Sequence, residues 1–229
     1  MNSGTSKHFS QGADRYFSAP FPLVFYRMND LGKIEVHLPF NAARKICPLL
    51  FQKGVLLKVQ TGASIKNFLR EQISLDKTYV DKRISTIFLN GQPVDDIDKT
   101  IIRNNDTLAL SGAMPGIIGA TMRRDSYLAL LRNTITFKEY GNDAIQDRGL
   151  IRFKLFNFIS QEIGPLLLQR GLMINSKDVI NLFQDKMSEE VNEYSAIFLD
   201  GEKAGLKELR KILKSSVKQE LILLKFKIS

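Results

Sequence analysis

The sequence is poor in the side chains from which most catalytic and metal centres are built. Cys47 is the only cysteine among 229 residues, which excludes an intramolecular disulfide and any multi-thiolate zinc or iron–sulfur site within one chain. Such cysteine usage fits a reducing compartment, and a cytoplasmic location is expected. The two histidines, His8 and His37, are too few for a multi-histidine metal site, and His8 lies in a polar tail. The apolar stretch Phe21–Tyr26 contains a proline and falls far short of the ~20 residues that cross a bilayer. Neither a signal peptide nor a membrane span is expected. No Gly-Lys-Ser/Thr phosphate loop and no Gly-x-Gly-x-x-Gly fingerprint occurs. The chain therefore reads as non-enzymatic, with no catalytic, cofactor-binding or metal-ligating residues and no cofactor.

What is present is an ordinary globular composition, 44% hydrophobic and 25% charged, with 33 Lys+Arg against 24 Asp+Glu and a formal net charge of +9. That balance suits one or two domains and favours polyanionic partners without establishing one. The excess is local. Residues 31–90 hold Lys33, Arg44, Lys45, Lys53, Lys58, Lys66, Arg70, Lys77, Lys82 and Arg83 against Glu35, Glu71, Asp76 and Asp81. A second basic stretch near the end carries Lys211, Lys214, Lys218, Lys225 and Lys227 against Glu220.

Residues 1–30 show neither helical nor alternating periodicity and read as a tail that docks, if at all, through Phe17, Phe21, Phe25 and Tyr26. The alternation in Lys33–Leu38 predicts a strand buried on one face, with His37 on its polar side. Asn41–Cys47 predicts a short helical turn stopped by Pro48, and Val55–Val59 a second strand. Ser64 is placed to cap a helix whose apolar face is Ile65, Phe68, Leu69 and Ile73. Ile84–Leu89 predicts a strand entering a tight turn at Asn90-Gly91, and Asp106–Leu110 a closing strand. Beyond it, Thr121–Arg132 predicts a helix burying Met122, Tyr127, Leu128 and Leu131, and Thr134–Phe137 a strand. The last third predicts a helix at Arg152–Ile163, a break at Gly164-Pro165, a helix from Ser176 with Val179, Leu182, Phe183 and Met187 inward, and a strand at Ala196–Leu199. A helix at Leu206–Leu213 and a terminal strand Glu220–Phe226 paired with Ala196–Leu199 complete it.

The order from Ile34–Phe40 through Val55–Leu69 and Ile87–Val94 to Asn105–Leu110 resembles the β-grasp, or ubiquitin-like, fold. Within it, the chain looks most like the molybdopterin-synthase small subunit and the thiamine sulfur carrier. The resemblance implies an α+β protein: a tail at 1–30, a β-grasp domain at 31–116, a helical linker at 117–149 and a small α/β domain at 150–229. Sulfur carriers end in a free diglycine, whereas here Ser111-Gly-Ala-Met-Pro-Gly116 lacks one and the chain continues. The expectation is a protein-interaction or adaptor module that binds another protein through the open sheet face and does not contact membrane; its oligomeric state is left open.

Two alternatives carry different chemistry. The chain also resembles the β-grasp RNA-binding module of threonyl-tRNA synthetase and stringent-response enzymes, which implies RNA or another polyanion on the basic face of residues 31–90. Candidate anion or nucleic-acid contacts are Lys58, Lys66, Arg70, Lys82 and Arg83, joined by Arg123 and Arg124 after the glycine-bearing segment Gly112–Gly119. The other alternative is a sulfur carrier activated by proteolysis at Gly116 or Gly119. Asp95, Asp96 and Asp98 read as an exposed turn, Glu189, Glu190 and Glu193 as a solvated helix end, and Cys47 as a small apolar residue under the helical insert. Lys225 and Lys227 read as a charged sheet edge.

Overall fold

A computed structural model describes residues 33–138, 147–185, 196–205, 207–208, 211 and 221–228. The tail aromatics, Glu189, Glu190, Glu193 and most of the helix expected at Leu206–Leu213 lie outside them. The chain is mixed α+β and divides into two compact units, one holding Lys58–Arg152, the other holding residues 33–57 and those from Phe153 on.

The elements are β1 (Lys33–Leu38), α1 (Phe40–Lys53), β2 (Val55–Gln60), α2 (Ile65–Asn67) continued by a wide turn Phe68–Gln72, α3 (Lys77–Lys82), β3 (Thr86–Leu89), β4 (Gln92–Pro93) and β5 (Thr107–Ser111). They continue with α4 (Gly116–Met122), a tight 3-10 turn Tyr127–Arg132, β6 (Arg148–Leu155), α5 (Asn157–Arg170), β7 (Leu172–Asn175), α6 (Ser176–Asp185), β8 (Ala196–Leu199), β9 (Glu202–Ala204) and β10 (Leu221–Ile228). The first unit has the strand order β4-β3-β5-β6-β2 and the second β7-β10-β1-β8-β9.

In the first unit the Ser64 hydroxyl accepts from the Asn67 amide as expected, at 3.2 Å, and Ile65, Phe68, Leu69 and Ile73 are buried. Asp76 caps α3 in the same way, through the Tyr79 amide at 2.7 Å. Asn90 and Gly91 take the positive φ values their turn requires. β3 and β5 are buried on both faces, with Thr86, Ile87, Leu108 and Leu110 at 0% exposure, so they present no open sheet face.

The second unit departs from the expected order. β1 pairs with β10 in parallel and with β8 antiparallel, so it lies between the two strands expected to pair directly. β10 is accordingly an interior strand, flanked by β1 and β7, and Lys225 and Lys227 do not mark an edge. Residues 148–155 form a strand, because Ile151, Phe153 and Leu155 alternate with Arg152 and Lys154 and all three are fully buried. The helix begins only at Asn157 and runs through Pro165 without a break. α1 likewise runs through Pro48. An interior proline costs a helix ~3 kcal/mol, and the packing of α1 against α5 offsets it: Ile46, Cys47, Leu50, Phe51, Ile163 and Leu167 are all buried. Val179 and Leu182 are buried as expected; the side chains of Phe183 and Met187 lie outside the described set.

The shared prolines belong to an internal repeat. Cys47-Pro-Leu-Leu-Phe-Gln-Lys-Gly54 recurs as Gly164-Pro-Leu-Leu-Leu-Gln-Arg-Gly171, Ile65-Lys-Asn-Phe-Leu69 as Val179-Ile-Asn-Leu-Phe183, and Ile87-Phe-Leu-Asn-Gly91 as Ile197-Phe-Leu-Asp-Gly201. Corresponding backbones match: Gly54 and Gly171 stop their helices at φ 99° and 89°, and Asp200 and Gly201 repeat the turn of Asn90 and Gly91. The clamp closing each hairpin is also the same. The Asn90 amide donates to the Thr107 carbonyl at 2.8 Å and its Oδ1 accepts from the Thr107 amide at 2.8 Å. The Asp200 amide donates to the Lys33 carbonyl at 2.9 Å and its Oδ1 accepts from the Lys33 amide at 2.9 Å. β1 thus fills beside β8 the place that β5 fills beside β3.

The equivalent residues Cys47 and Gly164 face one another where α1 and α5 cross. A Cβ on Gly164 would lie 2.8 Å from both Cβ and Sγ of Cys47 and 3.1 Å from Phe51 Cε2. Burial pushes the Cys47 thiol far up from its ordinary pKa, consistent with the expected packing role. Gly164→Ala is expected to lower the urea midpoint: overpacking costs about 1–3 kcal/mol, more than the ~1 kcal/mol gained in helix propensity. A midpoint equal to or above wild type would contradict this contact. Ellman's reagent is expected to reach Cys47 only on unfolding.

Candidate interaction surface

The segment after β5 was expected to form one helix with a buried stripe. It forms α4, a break at Arg123–Ser126, and then the 3-10 turn. Arg123 is extended (φ −69°, ψ 138°), Asp125 takes φ 56°, and the Ser126 hydroxyl caps the new turn through the Leu128 amide at 3.2 Å. The break rotates the second half, so Tyr127 and Leu131 are 84% and 73% exposed while Arg132 is 2% exposed. The strand expected at Thr134–Phe137 does not form; the Thr136 hydroxyl instead accepts from Arg132 Nη1 at 2.8 Å.

Arg132 ties this segment to the first unit. Its guanidinium bonds both oxygens of Asp95, at 2.6 and 3.0 Å, and its Nε donates to the Thr121 carbonyl at 2.7 Å. Bidentate arginine–carboxylate pairing of this kind is directional and strong. Two further ties act from the same segment: the Phe137 amide donates to the Pro93 carbonyl at 2.8 Å and the Arg124 amide to the Ser85 carbonyl at 2.8 Å.

With Arg132 turned inward, the segment carries apolar side chains outward. Ile117 and Ile118 on α4, Tyr127, Leu130 and Leu131 on the 3-10 turn, and Ile135 beyond it are the large hydrophobic residues exposed among those described. Tyr127 and Leu130 share a face, because positions three apart eclipse in a 3-10 turn. Exposed apolar residues concentrated in one stretch mark contact surfaces, whereas scattered ones do not.

The basic residues of 31–90 are divided between the two units, while the candidate contacts Lys58, Lys66, Arg70, Lys82, Arg83, Arg123 and Arg124 all belong to the first. Of those in residues 31–90, Lys33, Arg44, Lys45 and Lys53 belong to the second unit and Lys58, Lys66, Arg70, Lys77, Lys82 and Arg83 to the first. Lys66 bonds Asp98 at 2.6 Å, Lys58 and Arg83 are half-buried, and Arg70, Lys82 and Arg123 are exposed. Arg124 donates to the carbonyls of Val80 and Ile84, at 2.9 and 2.6 Å, capping the carboxyl end of α3. Burial draws its pKa below the usual arginine value. Gly119 serves packing: a Cβ there would lie 2.2 Å from the Met114 carbonyl oxygen. The aspartate run is more than an exposed turn, since Asp95 holds Arg132, Asp96 sits 3.5 Å from Lys99 and Asp98 holds Lys66.

No family model, curated protein or solved structure matches the chain. No helix among the described residues is long and apolar enough to cross a membrane.

Asp95→Ala is expected to leave the buried guanidinium without its carboxylate, at a cost of about 2 kcal/mol. Hydrogen exchange of the Thr121–Phe137 amides should accelerate more than that of β3 and β5. Unchanged exchange there would show that Arg132 does not hold the segment.

Proposed function

We propose that this protein is a non-enzymatic interaction module, and that its contact surface is the apolar platform formed by α4 and the 3-10 turn. The observation that carries this reading is the inversion across Arg132: a charged residue is buried to hold the segment while Ile117, Ile118, Tyr127, Leu130 and Leu131 face outward. An apolar face maintained against solvent is explained by a partner that covers it. In this reading the contact surface follows β5 and differs from the sheet face expected from the sequence.

The first unit is read as β-grasp in plan. A helix lies between β2 and β3, the β3–β4 hairpin forms one edge, and β5 lies between that hairpin and β6. In this reading β6 supplies the strand that the sequence order suggests for β1. The segment corresponding to the transferable tail of sulfur carriers leads into α4, which favours a binding role over carrier chemistry.

The test is site-specific photocrosslinking with the probe at Leu130 in cells. A discrete protein adduct that disappears when Ile118→Asp is added, and is absent with the probe at Arg70, is expected. No adduct, or one that survives Ile118→Asp, would overturn the reading.

A further inference from the structure

The outer face of the second unit's sheet combines features that the sequence keeps apart. β1 points Ile34, Val36 and Leu38 inward and leaves Lys33, Glu35 and His37 outward; β10 buries Ile222, Leu224 and Phe226 and leaves Lys225 and Lys227 outward. Strand register then aligns a row across four strands. Lys203 on β9 pairs with Phe198 on β8, Phe198 with Glu35, and Glu35 with Lys225. His37 lies opposite Lys227 in the next row.

Two rings occupy the middle of this face. The His37 and Phe198 centroids are 4.5 Å apart, with the planes tilted by 35°. His37 Nε2 is 2.9 Å from Glu35 Oε1, which fixes the imidazole, and Lys33 Nζ is 3.6 Å from the other carboxylate oxygen. Glu35 is thereby matched by its neighbours: the bond from His37, with the charges of Lys33 and Lys225, draws the Glu35 pKa down despite partial desolvation, and the Asp200 carboxylate, opposite Lys33, accepts from the Lys33 amide at 2.9 Å. Lys203 and Lys225 flank the rings from strands three spacings apart, about 14 Å.

Cations bordering a pair of accessible rings on an open sheet match the chemistry of unpaired nucleotides, whose bases stack while lysines follow the phosphates. We infer that this face binds single-stranded nucleic acid, with Phe198 and His37 as the stacking platform and Lys33, Lys203, Lys225 and Lys227 along the backbone. The site is distinct from the apolar platform and uses different residues from the cluster Lys58, Lys66, Arg70, Lys82 and Arg83. A face with two stackable rings selects against a duplex, whose bases are already stacked, and an acidic protein segment would draw on the lysines without needing the rings.

Fluorescence anisotropy of the full chain with short end-labelled oligouridylate and oligodeoxythymidylate tests this. If three phosphates are neutralised, log K should fall against log salt with a slope of about −2, roughly a 20-fold loss between about 50 and about 200 mM. Lys225→Ala should reduce that slope by about 0.7. Phe198→Leu, which keeps an apolar residue in place, should weaken binding at least about 5-fold and leave the slope unchanged, since stacking is insensitive to salt. Glu35→Gln should tighten binding. A preference for either oligonucleotide, or for neither, supports the inference and identifies which sugar is tolerated. It is overturned if neither binds at low salt, if a duplex of equal length binds as tightly, or if Phe198→Leu with an unchanged unfolding midpoint binds like wild type, the result a merely electrostatic surface would give.

Discussion

The second unit depends on the backbone pairing of β1 with β8 and β10. Its sheet is complete only when this strand, from early in the chain, lies between two strands from the late part, with six successive residues in register against β10. Everything else in the unit follows from that insertion. It puts α1 next to α5, brings Cys47 to Gly164, and seats Lys33 under the Asp200 clamp. It also aligns Glu35, His37, Phe198 and Lys225 on one surface. A residue on β1 has its strand partners more than a hundred and fifty positions away, so His37 meets Phe198 and Lys227 through topology.

Local elements were legible wherever a short-range rule decided them. Ser64 before an apolar i, i+3, i+4 series, Asn90-Gly91 between apolar runs, and alternation in Lys33–Leu38 each state their own geometry. The failures share one cause, a rule applied locally where tertiary packing decides. Pro48 and Pro165 look like helix stops, yet each sits in a helix held by the other helix. Tyr127 and Leu131 fall on a helical stripe that exists only if the chain does not break at Arg123–Ser126. The pairing of β1 could not be seen from adjacency, because sequence order favours neighbours.

One signal was available and decisive for architecture: the repeated Pro-Leu-Leu-x-Gln-Lys/Arg-Gly and Ile-Phe-Leu-Asn/Asp-Gly strings. A repeat predicts equivalent units, and the equivalence of the Asn90 and Asp200 clamps bears this out at the level of single hydrogen bonds. The candidate surfaces were less legible. The basic excess of residues 31–90 is real as composition but is divided between units, and Arg124 and Lys66 are engaged within the first. Arg132 and Asp95 carry no sequence signal as a pair, since only the folded segment brings them together, and the apolar platform follows from that pair.

The insertion of β1 also sets an order of events during synthesis. Ile34, Val36 and Leu38 leave the ribosome long before β8 and β10 exist to flank them, and non-local pairing of this kind is slow to form. The first unit has no such wait beyond β6. The second unit must keep an apolar strand unpaired until β8 and β10 are made, so its folding waits on the synthesis of residues 196–228, and a chain truncated before β10 would hold an unsatisfied strand edge.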